Sequence, residues 1–416
     1  MRQKRVLFIN PNRFLSPPVI PLGIEYLAHS LREKSFDTEI LDLCFSADPI
    51  KGLEERLTFF NPDAVCISVR NIDSALYINN EFYLPEIREY VNKIKTLTSA
   101  PVIIGGSALF AGADSIISYL GADLAVVGPA EETLPKVLEE AQLKWENRVI
   151  KGKLPKSFCP KRTEGIDYSP YIKNGGIPGF ETHKGCTSNC PYCIEAATPV
   201  VFREPADVIC ELRQFVDRGL DHFHLCDSEF NDDLDYCIEF LDALVKDKLG
   251  IRWALYMKPG NYNNQLFRLL KESGAYLITL SVDTFKRCPE YWNDVEKIVF
   301  LAKRHGIRIS IDFLAGFPYE TMDILKETLD SFRRIGPDEV VVNVFIRIYP
   351  DTKIRKLIDG DPELKKFLIK TIADDDSFLS PVFYNHISIE KLKELLNGGK
   401  MFRIAGEQKG VNYQRV

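Results

Sequence analysis

From residue 6 to residue 143 the chain repeats one pattern: a short apolar run, then a longer stretch with apolar residues at helical spacing. The runs fall at 6–9, 38–43, 64–69, 102–104 and 124–127. Short apolar runs alternating with amphipathic stretches are the pattern of βαβ units, and consecutive units of this kind close into a parallel sheet covered by helices. A doubly wound, Rossmann-like α/β domain is therefore expected over residues 1–143. Such sheets bind ligands beyond the carboxyl ends of their strands, so the residues just after each run carry the information.

Those residues are distinctive. The first run is followed by a proline-rich loop that includes Pro17, Pro18, Pro21 and Gly23, and the third by Arg70-Asn71-Ile72-Asp73. Gly105, Gly106 and Ser107 follow the fourth run, and Gly128-Pro129-Ala130-Glu131 the fifth. Glycines at 105 and 106 let the backbone approach a bulky ligand with no Cβ in the way. A flavodoxin-like or response-regulator sheet would use glycine similarly, and turn chemistry alone is the plain alternative.

Residues 144–179 lose regular period and gather Pro155, Pro160, Pro170, Gly175, Gly176 and Pro178, which reads as an extended linker. A second strand and helix series follows, with runs at 180–183, 223–226, 253–257, 276–282, 307–314 and 340–348. Six such units over 180–358 resemble the partial (β/α)6 barrel of a known enzyme superfamily, and in a barrel of this kind the chemistry collects at the carboxyl ends of the strands. Residues 359–416 read as a short helical C-terminal extension, with helices at 362–373 and 387–397. At 416 residues, 45% of them hydrophobic and 27% charged, the chain exceeds one ordinary core and reads as globular. A net charge of −6 argues against a nucleic-acid surface. No apolar stretch approaches the roughly 20 residues of a membrane span, and Met1 to Lys4 lead straight into the first strand, so a cytoplasmic protein is expected.

The second series opens on Cys186, Cys190 and Cys193 in the run KGCTSNCPYC. A complete [4Fe–4S] set uses four thiolates, so three closely spaced ones leave one iron free for another ligand. Structural zinc prefers four N/S ligands in two spaced pairs, and no second pair exists here. The other seven cysteines lie mostly in apolar patterns, as buried thiols do, and receive no role.

The spacing C-x3-C-x2-C, with Tyr192 before the last cysteine, resembles the radical S-adenosylmethionine (SAM) superfamily, and residues 1–143 resemble the cobalamin (B12)-binding domain that precedes it in one large subfamily. The PP-x-x-P-L-G, IIGG and VG-x-x-E strings carry the second resemblance. It implies three cofactors: a [4Fe–4S] cluster on Cys186, Cys190 and Cys193, SAM, and cobalamin. Cobalamin contacts are implied for Pro21, Gly23, Arg70, Gly105, Gly106, Ser107, Gly128 and Glu131. The D-x-H-x-x-G string of proteins that ligate cobalt through histidine is missing, which implies a base-off cobalamin with Arg70 near its lower face; the alternative is an Arg70–Asp73 salt bridge.

Asp227-Ser-Glu-Phe resembles the subfamily's DD-x-F segment, with Ser228 and Glu229 as departures. By that resemblance Tyr192, Asp227, Ser281, Asp283, Gly316 and Pro318 contact SAM, the last two within G-x-P-x-E-T, while Tyr349 is a candidate acid or base. Glu229 has three readings: a ligand that seals the fourth iron, a hydrogen-bond partner of SAM, or a salt bridge at the rim. The combination resembles cobalamin-dependent radical SAM methyltransferases, in particular the tryptophan 2-C-methyltransferase branch. Methyl transfer from SAM through cobalamin to a carbon of a small molecule or peptide is expected, with an external electron donor. Three rivals stand beside it: a B12-dependent radical mutase or ring-forming enzyme without net methylation, a non-catalytic corrinoid-binding module, and tRNA methylthiolation, whose extra cluster ligands and basic appendage this chain lacks.

Overall fold

The computed structural model describes residues 2–139, 149–162, 164–285, 288–371, 377–396 and 400–407. The chain divides into two compact units, the first Met1–Ser74, Glu81–Pro178 and Tyr349–Asp351, the second Ala75–Asn80, Gly179–Ile348 and Thr352–Val416.

The first unit is a parallel sheet of β1 (Arg5–Asn10), β2 (Asp37–Asp42), β3 (Ala64–Ser68), β4 (Val102–Gly105), β5 (Leu124–Val127) and β6 (Val149–Lys151), in the order β2-β1-β3-β4-β5-β6. Every adjacent pair is parallel. Val6, Leu7, Phe8 and Ile9 are all at most 2% exposed, so both faces of β1 are covered, as an all-parallel sheet requires. Val6 and Phe8 share one cluster with Ile24 and Leu31 of the helix Leu22–Glu33 and with Leu134 and Val137 of Thr133–Glu139. Local signals set the helix ends. Pro49–Phe60 starts where Asp48 accepts the Lys51 N–H at 3.0 Å and Pro49 fills a position with no N–H to satisfy; it stops at Asn61, in the left-handed region at φ 45°.

The stretch expected as a linker does more than connect. It supplies β6, and beyond it Arg162 pairs with Glu25 at 3.1 Å, both side chains at most 1% exposed. The Tyr168 hydroxyl donates to the same carboxylate at 2.6 Å, and that of Tyr171 to Asp42 at 2.8 Å. The expected boundary at residue 143 lies outside the described residues.

The second unit is built on β7 (Gly179–Phe180), β8 (His183–Cys186), β9 (Thr198–Phe202), β10 (His222–Leu225), β11 (Arg252–Met257), β12 (Ala275–Asp283), β13 (Arg308–Leu314), β14 (Glu339–Asn343), β15 (Ile346–Arg347), β16 (Leu368–Lys370), β17 (Val382–Tyr384) and β18 (Phe402–Ile404). Seven form one sheet, β18-β14-β13-β12-β11-β10-β7. Its consecutive strands are neighbours and all its pairs are parallel, the singly wound order of a barrel wall left open between β18 and β7.

Two expected strands are split. Residues 180–183 end one strand and begin another, because β8 turns away to pair antiparallel with β9 around a register shift at Gly185. Gly185 has φ 91°, and a Cβ there would sit 2.1 Å from the Pro199 carbonyl oxygen. The run 340–348 breaks into β14 and β15, and β15 joins a small antiparallel sheet with β17 and β16. The tail is less helical than expected. Pro362–Lys365 is a single turn followed by β16, and β18 extends the main sheet; the expected helix ends at 373 and 397 lie outside the described residues. Among the remaining cysteines Cys44, Cys66 and Cys237 are buried thiols, with burial pushing Cys66 up to about 12, whereas Cys226 and Cys288 are exposed.

Candidate active site

In the first unit the sheet order reverses at β1, so the carboxyl ends of β1 and β3 flank the crevice where doubly wound sheets take ligands. A pocket of about 160 Å³ opens there, lined by Asn12 and Phe14 from the loop after β1 and by Ser68, Arg70 and Asn71 at the end of β3. That is below the roughly 300–1,000 Å³ of sites that engulf a ligand, so this edge suits a molecule lying across it. Arg70 is exposed at the pocket, whereas Asp73, its alternative salt-bridge partner, is 2% exposed. Arg13 is already engaged, pairing with Glu86 at 3.1 Å.

The other expected contacts in this unit divide by what occupies them. Gly106 has φ 108°, and a Cβ would fall 2.4 Å from the Val69 carbonyl oxygen, so packing on β3 alone demands glycine. The Ser107 hydroxyl donates to the Arg70 carbonyl at 2.7 Å. Glu131 is 3% exposed, and its carbonyl accepts from Ser30 at 2.7 Å. Gly128, at φ 83°, is a turn glycine, and Pro21 precedes the helix Leu22–Glu33, its carbonyl accepting the Ile24 N–H at 3.1 Å. Gly105 and Gly23 have room: a Cβ at Gly105 would meet nothing nearer than 3.7 Å, and at Gly23 nothing within 4 Å. His29, the single histidine before residue 183, is buried; burial lowers its pKa, and it faces Glu33 at 3.3 Å.

In the second unit the β8–β9 hairpin carries the three cysteines. Cys186 ends β8, its N–H donating to Thr198 Oγ1 at 3.0 Å, and the Glu195 N–H donates to Cys193 Sγ at 3.4 Å. Burial pushes the Cys193 thiol up to about 12, with Glu195, Cys190 and Cys186 adding to the rise, so the three thiols share one electrostatic neighbourhood. Among the described residues no three His, Cys, Asp or Glu side chains converge as around a single ion. A cluster sets its thiolates on different irons, and three soft thiol donors on one loop fit that group.

Loops at the ends of β10, β11 and β12 hold this hairpin. Asp232 accepts from Thr187 N at 3.0 Å and Thr187 Oγ1 at 2.6 Å and pairs with Lys258, whose ammonium also donates to Thr187 Oγ1 at 3.0 Å. Burial alone would raise the Asp232 carboxyl; Lys258 and Thr187 outweigh it and hold it low. Ser228 Oγ donates to Glu195 at 2.7 Å. Asn231 bonds Lys258 N and O and the Gly260 carbonyl, fixing the end of β11. Sequence reasoning missed Thr187, Asn231, Asp232 and Lys258 because their partners lie on other strands.

The Asp227 carboxylate is engaged within the protein. It is 5% exposed and accepts from Thr182 N at 2.8 Å, His183 N at 3.3 Å, the Thr182 hydroxyl and His183 Nδ1 at 3.2 Å. Four donors fill the lone pairs of one carboxylate, which leaves none for SAM. Burial works against its charge, but His183 and Thr182 outweigh it and lower its pKa, while Asp227 raises that of His183 against burial.

Glu229 is half-buried at the start of the turn Phe230–Asp232. It contributes to the raised pKa of Tyr291, after burial, Asp283 and Cys190, so these groups gather at one place. Tyr192 donates to Asp283 Oδ2 at 3.1 Å and packs on Phe317 at 5.4 Å between ring centroids. Ser281 is half-buried two residues before Asp283 on β12. In the turn after β13, Glu320 accepts from Gly316 N at 2.8 Å, Phe317 N at 3.1 Å and Thr284 Oγ1 at 2.5 Å; half-buried Pro318 lies inside that braced turn. Tyr349 belongs to the first unit.

Two family patterns match the chain: the radical SAM superfamily over residues 180–332 and the B12 binding domain over residues 15–138. One chain thus carries a match to each of the two domains that the cobalamin-dependent radical SAM proteins combine. Among its relatives, a tryptophan 2-C-methyltransferase of Streptomyces laurentii is 21% identical, over 84% of this chain and 74% of the relative. Two solved structures of the radical SAM methyltransferase TsrM from Kitasatospora setae share the fold. The one with cobalamin and a [4Fe–4S] cluster bound is 22% identical, with TM-score 0.87 over 97% of this chain and 93% of that one. The other, with tryptophan and the SAM analogue aza-SAM, is 21% identical, with TM-score 0.88 over 99% and 93%.

Proposed function

We propose that this chain is a methyltransferase that moves a methyl group from SAM through cobalamin to a nucleophilic carbon of a small molecule, with an indole carbon as the narrower reading. The observation that carries it is the pairing in one chain of the three-cysteine hairpin beside Glu229 with a parallel sheet whose switch point is lined by Arg70. When bound, cobalamin supplies a cobalt that can take a methyl group from SAM and give it up, while the protein supplies position and field. Arg70 would help hold the cobalamin at the switch point and set a positive charge beside it. Gly105 and Gly23 would leave room for the macrocycle edge and nucleotide tail. Cys186, Cys190 and Cys193 would hold the cluster, with Ser281 and the Gly316 turn lining the SAM side. Glu229 would occupy the fourth iron, which favours polar transfer over radical chemistry.

Tryptophan as substrate is supported by the two named relatives. A net charge of −6 supports a non-nucleic-acid substrate, no described helix is long and apolar enough to cross a membrane, and a reducing cytoplasm with an external electron donor suits the cluster. The test is anaerobic reconstitution with iron, sulfide and hydroxocobalamin, then mass analysis after incubation with SAM, tryptophan and titanium(III) citrate, which reduces the cobalt and supplies electrons to the cluster. The expected result is a product heavier by one methyl group, with S-adenosylhomocysteine and little 5′-deoxyadenosine, and more 5′-deoxyadenosine from Glu229→Ala. Ready formation of 5′-deoxyadenosine by wild type would remove the sealed-iron reading. Tight cobalamin binding with neither product from SAM would remove the methyltransferase.

A further inference from the structure

Between its second and third cysteines the cluster loop is tied down by a contact that neither iron–sulfur ligation nor SAM chelation requires. Tyr192 lies in that interval, and its hydroxyl donates to Asp283 Oδ2 at 3.1 Å. Asp283 closes β12 and is 4% exposed, so its carboxylate is withdrawn from solvent and must find its donors within the protein. Its backbone N–H donates at 3.1 Å to the hydroxyl of Tyr291, which stands in the first turn of the helix Pro289–Arg304 and is 8% exposed. A strand end is thus gripped from two sides by phenols, one from the cluster loop and one from the following helix. Phe317 packs on the Tyr192 ring and limits its movement.

We propose that Asp283 is a positioning residue for the cluster loop, acting through Tyr192, and that this bridge sets the reduction potential of the cluster rather than holding SAM. The inference rests on the reading of the three cysteines as cluster ligands. Asp283 is short, so its carboxylate stays close to the strand, where Tyr192 reaches it. Turning it toward a ribose would strip a buried phenol of its acceptor, a cost that binding would have to offset. Cluster potentials depend on hydrogen bonds to the sulfurs, and Cys193 receives one from Glu195 on the same loop. A shift of the loop at Tyr192 therefore reaches that bond within three residues. Outer partners of this kind commonly change affinity or activity by about 10–100-fold when removed.

The test compares wild type, Tyr192→Phe, Asp283→Asn, Asp283→Ala and the double variant Tyr192→Phe/Asp283→Ala, each reconstituted anaerobically with iron and sulfide. Iron and sulfide content, the EPR signal of the reduced cluster, its midpoint potential and the Kd for SAM are measured on each. The expected result is that Tyr192→Phe and Asp283→Ala retain a cluster and move its potential in the same direction, with the double variant moving no further than the larger single. Asp283→Asn keeps an acceptor oxygen for Tyr192 and returns most of the way to wild type. The Kd for SAM in Asp283→Ala equals that in Tyr192→Phe. An unchanged EPR signal and potential in Tyr192→Phe overturns the proposal. So does SAM binding weakened about tenfold in Asp283→Ala but not in Tyr192→Phe, the mark of a lost ribose contact. Wild type that takes up no cluster would remove the cluster reading itself, and that failure is recognised because it needs no variant.

Discussion

Gly105 and Gly106 are neighbours under different constraints. At Gly106 the backbone has φ 108° and a side chain would collide with Val69; at Gly105 a methyl group would meet only ordinary contacts. Gly106→Ala should therefore destabilise the first unit by about 2 kcal/mol or more, read as a lower midpoint in urea unfolding, before any ligand is added. Gly105→Ala should leave that midpoint unchanged and weaken hydroxocobalamin binding, measured by visible absorbance. Equal stability loss in both would mean that Gly105, too, serves only the fold. The two were indistinguishable in the sequence because the difference lies in a dihedral angle and a carbonyl on another strand. The His183–Asp227 pair makes a prediction with a sign. The pKa of Asp227 is lowered, so its contribution to stability is present above the unfolded value of about 4 and is lost as pH falls through the folded one. The pKa of His183 is raised, so its contribution is complete below the unfolded value of about 6.5 and is lost as pH rises through the folded one. Stability from the pair should thus be greatest between about pH 4 and 6.5. A His183→Gln/Asp227→Asn variant should lose most relative to wild type in that window, and a difference that stays flat from pH 3 to 9 would refute the pairing.

Strands and helices with strong period were legible in the sequence, and those defined by single contacts were not. The first five strands fall within a residue or so of the expected runs; β1, β3, β4 and β5 are apolar segments buried along nearly their whole length, and β2 is the half-buried edge strand. The segment after residue 148 has no such period, and what fastens it is a handful of side chains: Arg162 on Glu25, Tyr168 on the same carboxylate, Tyr171 on Asp42. A buried arginine and a buried carboxylate are invisible as a pair until the chain folds. Their coupling gives a direct prediction. Arg162→Met leaves Glu25 charged and buried, which should cost about 3–5 kcal/mol in unfolding free energy, whereas Arg162→Met/Glu25→Gln should recover much of that loss. A double variant no more stable than the single would show that Arg162 acts by packing over Tyr26, whose ring its guanidinium covers at 5.3 Å, rather than by charge.

Each of the two compact units has a core and a parallel sheet of its own, and the chemistry assigned to each lies at the ends of its strands rather than in its core. This explains why so much of the candidate site could be read from the sequence: strand ends follow apolar runs, and motif residues such as Cys186, Gly105 and Gly316 sit just beyond them. It also explains why the internal partners of some of these residues were not legible. Asp227 and Asp283 sit at strand ends too, yet His183 with Thr182 in one case and Tyr192 in the other take their carboxylates for internal bracing, and Tyr291 joins from a helix with no motif. Because the cores are separate, loss of the cluster should not carry loss of the cobalamin site with it. Cys190 is a half-buried thiol on a hairpin loop outside both cores, so Cys190→Ala should change unfolding free energy by no more than about 0.5 kcal/mol. Its iron and sulfide content after reconstitution should fall well below wild type and methyl transfer should cease, while the hydroxocobalamin isotherm stays superimposable. If Cys190→Ala retains a full complement of iron and sulfide, the triad does not bind the cluster. If it loses cobalamin as well, the two sites are not separable in the way their separate cores require.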